Sequence, residues 1–241
     1  MMQQPVTDYH CHLLPGIDDG SPNTEESLAM ASMLAGAGYS RVYCTPHFIK
    51  GIYEVSDRDV LQEILKLQKA LDDGGIALQL CAGREYYLDE FFFEHLSHPL
   101  LMEGTKCLMI EIPDYTPVAL VKEVLFKIHC SGYVPLIAHP ERCSLIDLPA
   151  EQQDVRRGIL KSWISVAMGQ PSQKPSNVTL LHYLLELGCQ FQANHGSFTG
   201  QFGQHVQAKA RRFEHSGIYT HSGTDAHNTR SLQIILEGSK R

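Results

Sequence analysis

Thirteen histidines in 241 residues stand close to acids and prolines. The segment Asp8-Tyr9-His10-Cys11-His12 sets two imidazoles two positions apart. Extended backbone sends alternate side chains to one face, so His10 and His12 can share one metal ion while Cys11 packs the other way. Further His and carboxylate groups occur in Thr45-Pro46-His47, Gly83-Arg84-Glu85, His139-Pro140-Glu141-Arg142 and Asp225-Ala226-His227, and Asp18-Asp19-Gly20 adds two acids. Glu111 interrupts the apolar run Leu108-Met109-Ile110-Glu111-Ile112. A carboxylate there has to be paired or metal-bound, because burying it alone is costly. Each segment also has an ordinary reading. His-x-His recurs by chance, and both Asp18-Asp19-Gly20 and Asp225-Ala226-His227 have the composition of turns.

The elements that must position these residues follow from the apolar pattern. Short runs rich in Val, Ile, Leu and Tyr predict strands over 6–9, 41–44, 77–82, 107–112, 134–138, 189–193 and 218–223. Helix punctuation lies between them. Ser21-Pro22 marks an N-terminus ahead of Leu28, Ala31 and Leu34. Ser56 opens a face of Val60, Ile64, Leu67 and Leu71 that Gly74-Gly75 stops. Thr116-Pro117 opens a helix burying Val121, Val124 and Ile128; further helices are expected over 176–188 and 199–217. The long connection after His139 reads as a helix over 151–166, a linker over 169–175 and a second helix. Strand and helix in alternation mean parallel pairing with right-handed crossovers, closing as a barrel or a doubly wound sheet. A single domain over 1–241 is expected.

Six of the seven expected strands deliver a His or a carboxylate at the C-terminal end, the face where parallel barrels assemble active sites. His95, His98, His129, His182, His205 and His215 read as structural or solvated, and His195 and His221 remain open.

Composition excludes several chemistries. Twenty Lys and Arg against 27 Asp and Glu give a net charge of -7, with no basic run suited to a phosphate backbone. No secretory pattern opens the sequence and no apolar window approaches membrane-spanning length, so a cytoplasmic location without membrane insertion is expected. The seven cysteines contain no C-x-x-C pair, which argues against a disulfide framework or zinc ribbon. None has Arg six positions later, as a cysteine phosphatase loop needs. G-x-x-x-x-G-K-[ST], G-x-S-x-G and H-E-x-x-H are also missing.

Taken together, the segments 8–20, 45–47, 83–85, 137–142 and 225–228, with Gly196-Ser197-Phe198-Thr199-Gly200-Gln201-Phe202-Gly203, resemble the polymerase-and-histidinol-phosphatase (PHP) superfamily. Within it they are most similar to the bacterial metal-dependent protein-tyrosine phosphatases of capsule and exopolysaccharide clusters. The resemblance implies a distorted seven-stranded (β/α) barrel with a three-ion site at the C-terminal strand ends. His10, His12, Glu85 and Asp225 would bind the first ion. Glu85 would bridge to a second, completed by Glu111 and His139, and Asp19, His47 and His227 would hold the third. The choice between Asp18 and Asp19 stays open. Ions ~4 Å apart would clamp a phosphate while hydroxide attacks phosphorus in line. Manganese is the ion implied, and His with carboxylate ligands also suits Fe or Zn.

Arg142 matches the family's phosphate-binding Arg, the alternative being a surface pair with Glu141. Arg230 is the further candidate for substrate binding, although it falls earlier after the last His than the family's residue. The 154–177 stretch reads as an insertion. The resemblance further implies a phosphotyrosine hydrolase acting on the tyrosine-rich tail of a bacterial tyrosine kinase. The competing readings are a histidinol-phosphatase-like small-molecule enzyme, a TatD-like metal nuclease and a degenerate metal-binding module.

Overall fold

The computed structural model describes residues 6–95, 98–148 and 179–238. The helix and linker expected over 151–175, and the insertion over 154–177, lie outside the described residues. Strands and helices alternate throughout. The chain runs β1 (Thr7–Cys11), α1 (Thr24–Gly36), β2 (Arg41–Cys44), β3 (His47–Phe48), α2 (Asp57–Asp73), β4 (Gln79–Ala82), β5 (Glu85–Tyr87) and β6 (Cys107–Glu111). It continues through α3 (Val118–Cys130), β7 (Val134–Ala138), α4 (Leu180–Glu186), β8 (Gln190–Asn194), α5 (His195–Phe198), α6 (Gln204–His215), β9 (His221–Gly223) and α7 (Thr229–Gly238).

The described strands form two parallel sheets, β1-β2-β4 and β3-β5-β6-β7-β8-β9. Seven of them correspond to the expected runs. The two unforeseen strands, β3 and β5, are two and three residues long. They resume the course of β2 and β4 after breaks at Thr45-Pro46 and Gly83-Arg84, where Pro removes a ladder donor and Gly weakens the strand. Where β1 meets β9, a bridge pairs Cys11 with Ala226, and Asp225 N donates to His10 O at 2.6 Å. The buried Asp8 carboxylate reinforces this junction by accepting from Thr224 N at 2.9 Å and Thr224 Oγ1 at 2.6 Å. A Cβ on Gly223 would stand 2.6 Å from His10 N, so only glycine lets the two strands approach so closely. The result is a curled parallel α/β fold.

Helices cover the outside of the sheets by their apolar faces. Met30, Ala31 and Leu34 of α1 and Val60, Ile64, Leu67 and Leu71 of α2 pack with Val42, Cys44, Leu80 and Ala82. The α3 side chains Val121, Val124, Leu125 and Ile128 pack with Leu108, Ile110 and Ile137, joined by Leu181, Leu184 and Phe213. Burying each large aliphatic side chain contributes about 1.5–3 kcal/mol, which holds the strand ends fixed beneath the loops. A third cluster, including Tyr43, Cys81, Met109, Leu136 and Ala138, draws on strands from both sheets.

Two helix boundaries differ from expectation. Asn23, not Ser21, caps α1, its side chain accepting from Glu26 N at 2.9 Å. Ser21 is committed instead to the first loop, donating its N–H to His12 O at 3.1 Å. The helix expected over 199–217 begins only at Gln204 and ends at His215, because Gly200 and Gly203 adopt φ of 81° and 91° and turn the chain after α5. No helix among the described residues is long and apolar enough to cross a membrane.

Candidate metal centre

The side chains at the strand ends converge on one cluster. His10 Nε2 and His12 Nε2 lie 3.2 Å apart. His10 Nε2 is 3.1 Å from Glu85 Oε2 and 3.3 Å from Asp225 Oδ1. His12 Nε2 is 3.3 Å and 3.2 Å from the same two oxygens. His139 Nε2 is 3.0 Å from Glu85 Oε1 and 4.0 Å from Glu111 Oε1. His47 Nε2 and His227 Nε2 each stand 3.7 Å from Asp19 Oδ1. Three overlapping groups have ligand atoms within 4.8 Å of one another: His10-His12-Glu85-Asp225, His12-Asp19-His47-His227 and His47-Glu85-Glu111. All nine expected ligands therefore meet at one place. The groups share His12, His47 and Glu85, so they form a single continuous cluster.

Local folding explains several of these placements. The β3–β5 register sets His47 beside Glu85, and the β5–β6 register sets Tyr87 beside Glu111. His139 and Asp225, at the ends of β7 and beyond β9, hold positive φ values of 30° and 53°. Non-glycine residues take such conformations at a cost, and these re-aim both side chains inward from their strand ends.

Imidazole orientation is set from behind. His12 Nδ1 donates to Asp18 Oδ2 at 2.7 Å, His10 Nδ1 to Gln192 Oε1 at 3.0 Å, and His227 Nδ1 to Asp225 O at 3.0 Å. Each contact fixes the tautomer that leaves Nε2 aimed into the cluster. Asp18 also accepts from His47 N at 2.8 Å and Gly20 N at 2.9 Å. A Cβ on Gly20 would meet His12 O at 2.4 Å, so this turn requires glycine. Asp18 is thereby used up as an acceptor, whereas the half-exposed Asp19 carboxylate faces His47 and His227.

The electrostatics fit a cationic occupant. Burial raises Glu111 to about 8, with the Glu85 charge adding to the effect. Burial opposes charge on Glu85 too, yet His10 and His47 hold it well below the carboxylate range. Burial works against a proton on His10, but Glu85 and Asp225 overcome it and raise His10 to about 9. Asp18 likewise keeps His12 well above its ordinary value against the effect of burial. Burial and then Arg142 lower His139 to about 4. Two buried atoms at the centre, His47 Nδ1 and Glu85 Oε2, stand 3.1 Å apart, yet among the described residues neither has a contact of hydrogen-bond geometry. Buried polar atoms are rarely left unmade, and divalent ions would satisfy both atoms and the crowded carboxylates.

Arg142 reaches the cluster from the loop after β7. Its Nη1 donates to Asp225 Oδ2 at 2.7 Å, and its guanidinium carbon lies 4.6 Å from the Phe202 ring centroid. Glu141 is not its partner, being buried and accepting from Asn194 N and Tyr219 Oη, each at 3.0 Å. Arg230 is exposed in the first turn of α7 and makes no hydrogen bond or ion pair among the described residues. His195 bonds Tyr39 Oη at 3.1 Å and His221 packs on Tyr9, so both stand apart from the cluster.

Gln192 and Asn194 were not foreseen. Asn194 Nδ2 donates to Asp225 Oδ2 at 2.7 Å, and Gln192 Oε1 also accepts from His139 N at 3.2 Å. Their signal was the alternation Gln190-Phe191-Gln192-Ala193-Asn194, a polar face on a strand with an apolar reverse.

A family model described as capsular polysaccharide synthesis, CpsB/CapC, matches residues 6–157, more than half of the chain. The chain belongs to the CpsB/CapC family. This CpsB/CapC chain is 28% identical over 229 residues to tyrosine-protein phosphatase YwqE of Bacillus subtilis (strain 168), covering 94% of this chain and 79% of that protein. It is 22% identical over 239 residues to tyrosine-protein phosphatase CpsB of Streptococcus pneumoniae, covering 96% and 87%. A solved structure described as YwqE from Bacillus subtilis and CpsB from Streptococcus pneumoniae, unique metal-dependent tyrosine phosphatases, superposes with a TM-score of 0.74 at 26% identity. The match covers 98% of this chain and 86% of that one.

Proposed function

We propose that this chain is a metal-dependent phosphomonoester hydrolase specific for phosphotyrosine. Its substrate is the tyrosine-rich tail of a bacterial tyrosine kinase in capsule or exopolysaccharide synthesis. The reading includes a cytoplasmic location, a single domain over 1–241 and a seven-stranded distorted barrel in which β2 with β3, and β4 with β5, each count as one broken strand. The observation that carries the function is the convergence of nine His and carboxylate side chains with one guanidinium, Arg142, on the same face.

The ligand roles are those implied by the resemblance. His10, His12, Glu85 and Asp225 hold one ion; Glu85, Glu111 and His139 hold a second; Asp19, His47 and His227 hold a third, with manganese the preferred ion. When bound, divalent ions neutralise phosphate oxygens and lower the pKa of water toward neutrality. Glu85 lies within reach of both His10 and His139, which suits it to bridge two of the three sets. Arg142 presents a planar fork that binds two phosphate oxygens without competing for an ion. Asp18, Gln192 and the Asp225 carbonyl keep His12, His10 and His227 in the required tautomer. A phenol leaves with a conjugate-acid pKa of ~10, so little protonation of the leaving oxygen is needed.

Turnover of a phosphotyrosine peptide compared with histidinol phosphate, both with added Mn, tests the assignment. The peptide should be the better substrate by kcat/KM. Preference for histidinol phosphate would make the chain a small-molecule phosphatase on the same fold.

A further inference from the structure

Beside the metal cluster lies a cavity of about 230 Å³ whose outer walls are not part of any ligand set. Glu111, His139 and Arg142 line it together with Tyr87, Ile112, Pro113 and Tyr115, and Asp114 and Cys143 complete the wall. Drug-sized ligands generally occupy about 300–1,000 Å³, so this volume suits one side chain rather than a whole metabolite. From this geometry we infer that Tyr87 and Tyr115 form an aryl slot that selects aromatic over alkyl phosphates, a specificity device resting on the phosphatase reading above.

The slot is built rather than incidental. Tyr87 and Glu111 are register partners on neighbouring strands, so the Tyr87 ring stands next to a proposed ligand on the same face. Tyr87 Oη and Tyr115 Oη are 2.7 Å apart, and their ring centroids lie 6.4 Å apart at an interplanar angle of 51°. Tyr115 keeps 75% of its surface exposed, so its ring is open to a ligand in the cavity. The loop carrying it is fastened to its surroundings at two points and closed by one turn of its own. Thr116 Oγ1 donates to Leu88 O at 3.3 Å, Thr116 N to Pro113 O at 3.1 Å, and Ser144 N to Asp114 Oδ1 at 2.5 Å. The last contact ties this loop to the one bearing Arg142. A phosphoryl group held by Arg142 would thus leave its organic substituent against the paired Tyr87 and Tyr115 rings and the Ile112-Pro113 edge. A planar ring fills that space by stacking, whereas an alkyl chain forfeits the contact.

Binding of phenylphosphonate and methylphosphonate to the Mn-loaded protein, followed by calorimetry, tests the slot without requiring turnover. Neither compound is hydrolysed, and both present the same anionic head to Arg142. The parent protein should prefer the phenyl compound about tenfold. Tyr115→Ala should reduce that preference to nearly one, with methylphosphonate affinity as the internal control, and Tyr115→Phe should keep most of it. Equal preference in the parent and in Tyr115→Ala, or a loss in Tyr115→Phe as large as in Tyr115→Ala, overturns the slot. Phosphotyrosine hydrolysis with no phenyl preference would overturn the slot and leave the phosphatase reading standing. Phenyl preference without Mn-dependent hydrolysis would do the reverse.

Discussion

Replacing Asp18 by Asn removes a charge and leaves the shape. In the structure Oδ2 accepts from both His12 Nδ1 and His47 N, and Oδ1 accepts from Gly20 N. The least costly orientation of the amide keeps its oxygen toward the two donors and turns its NH2 toward Gly20 N. One hydrogen bond is then lost and a charge-assisted bond to His12 becomes a neutral one. Together these amount to about 2 kcal/mol, near 30-fold in affinity, from net values of ~1 kcal/mol for a neutral bond and ~1.5–3 kcal/mol for a charged one. That lies inside the 10–100-fold range typical of groups that orient metal-bound His. An opposing effect has to be separated. Asp18 also holds a proton on His12 when no ion is present, so its removal eases proton competition. The deficit in Mn affinity should therefore grow as pH rises. Metal titration of the stripped protein at several pH values, with a melting curve to establish folding, measures it. Asp19→Asn should instead lower the number of ions bound. If Asp18→Asn lost an ion outright while Asp19→Asn kept the full complement, the two aspartates would have exchanged roles.

Arg142→Lys keeps the charge and loses the fork, so metal content should be unchanged while kcat/KM for phosphotyrosine falls roughly 10- to 100-fold, about 1.4–2.7 kcal/mol. Parental turnover in that variant would move the phosphate contact elsewhere, Arg230 being next in line. Glu85→Gln should be more harmful than His47→Ala in both metal stoichiometry and rate, because it removes a charge within reach of both His10 and His139; full stoichiometry with near-normal rate would end the bridging role. Metal binding near pH 7 should release protons, since His10 at about 9 and Glu111 at about 8 hold theirs in the stripped protein and ligands must be deprotonated. Affinity accordingly rises with pH through that range. Calorimetry in buffers of different ionisation enthalpy counts the protons, and a count of zero would contradict the stated charge state.

Much of this architecture was legible because period and punctuation agree. The runs over 41–44, 107–112 and 134–138 are apolar, short and followed by ligand-type residues, so their direction and the site's face followed together. The β3 and β5 strands escaped notice because two or three residues after a Pro or Gly carry no period; they exist through pairing with each other and with β6. Asp18 and Asp19 were indistinguishable in sequence, since adjacent acids in a turn differ only in which way the turn points them. Only the geometry, with Asp18 beneath His12 and Asp19 toward His47 and His227, separates them. Gln192 and Asn194 carry no ligand signature of their own, and their importance comes from partners distant in the chain.

On the proposed reading, hydrolysis depends on ions held by the His and carboxylate cluster and not on a cysteine. Six of the seven cysteines are buried, and burial raises the Cys11 and Cys44 thiols well above their ordinary range, which disfavours the nucleophilic thiolate. The most direct measurement is the rate of phosphotyrosine peptide hydrolysis after exhaustive chelation, again after Mn is restored, and in parallel after thiol alkylation. Chelation should abolish the rate, Mn should restore it best among divalent ions, and alkylation should leave it in place. Activity that survives chelation and disappears on alkylation would place the chemistry on a thiolate and not on the metal cluster.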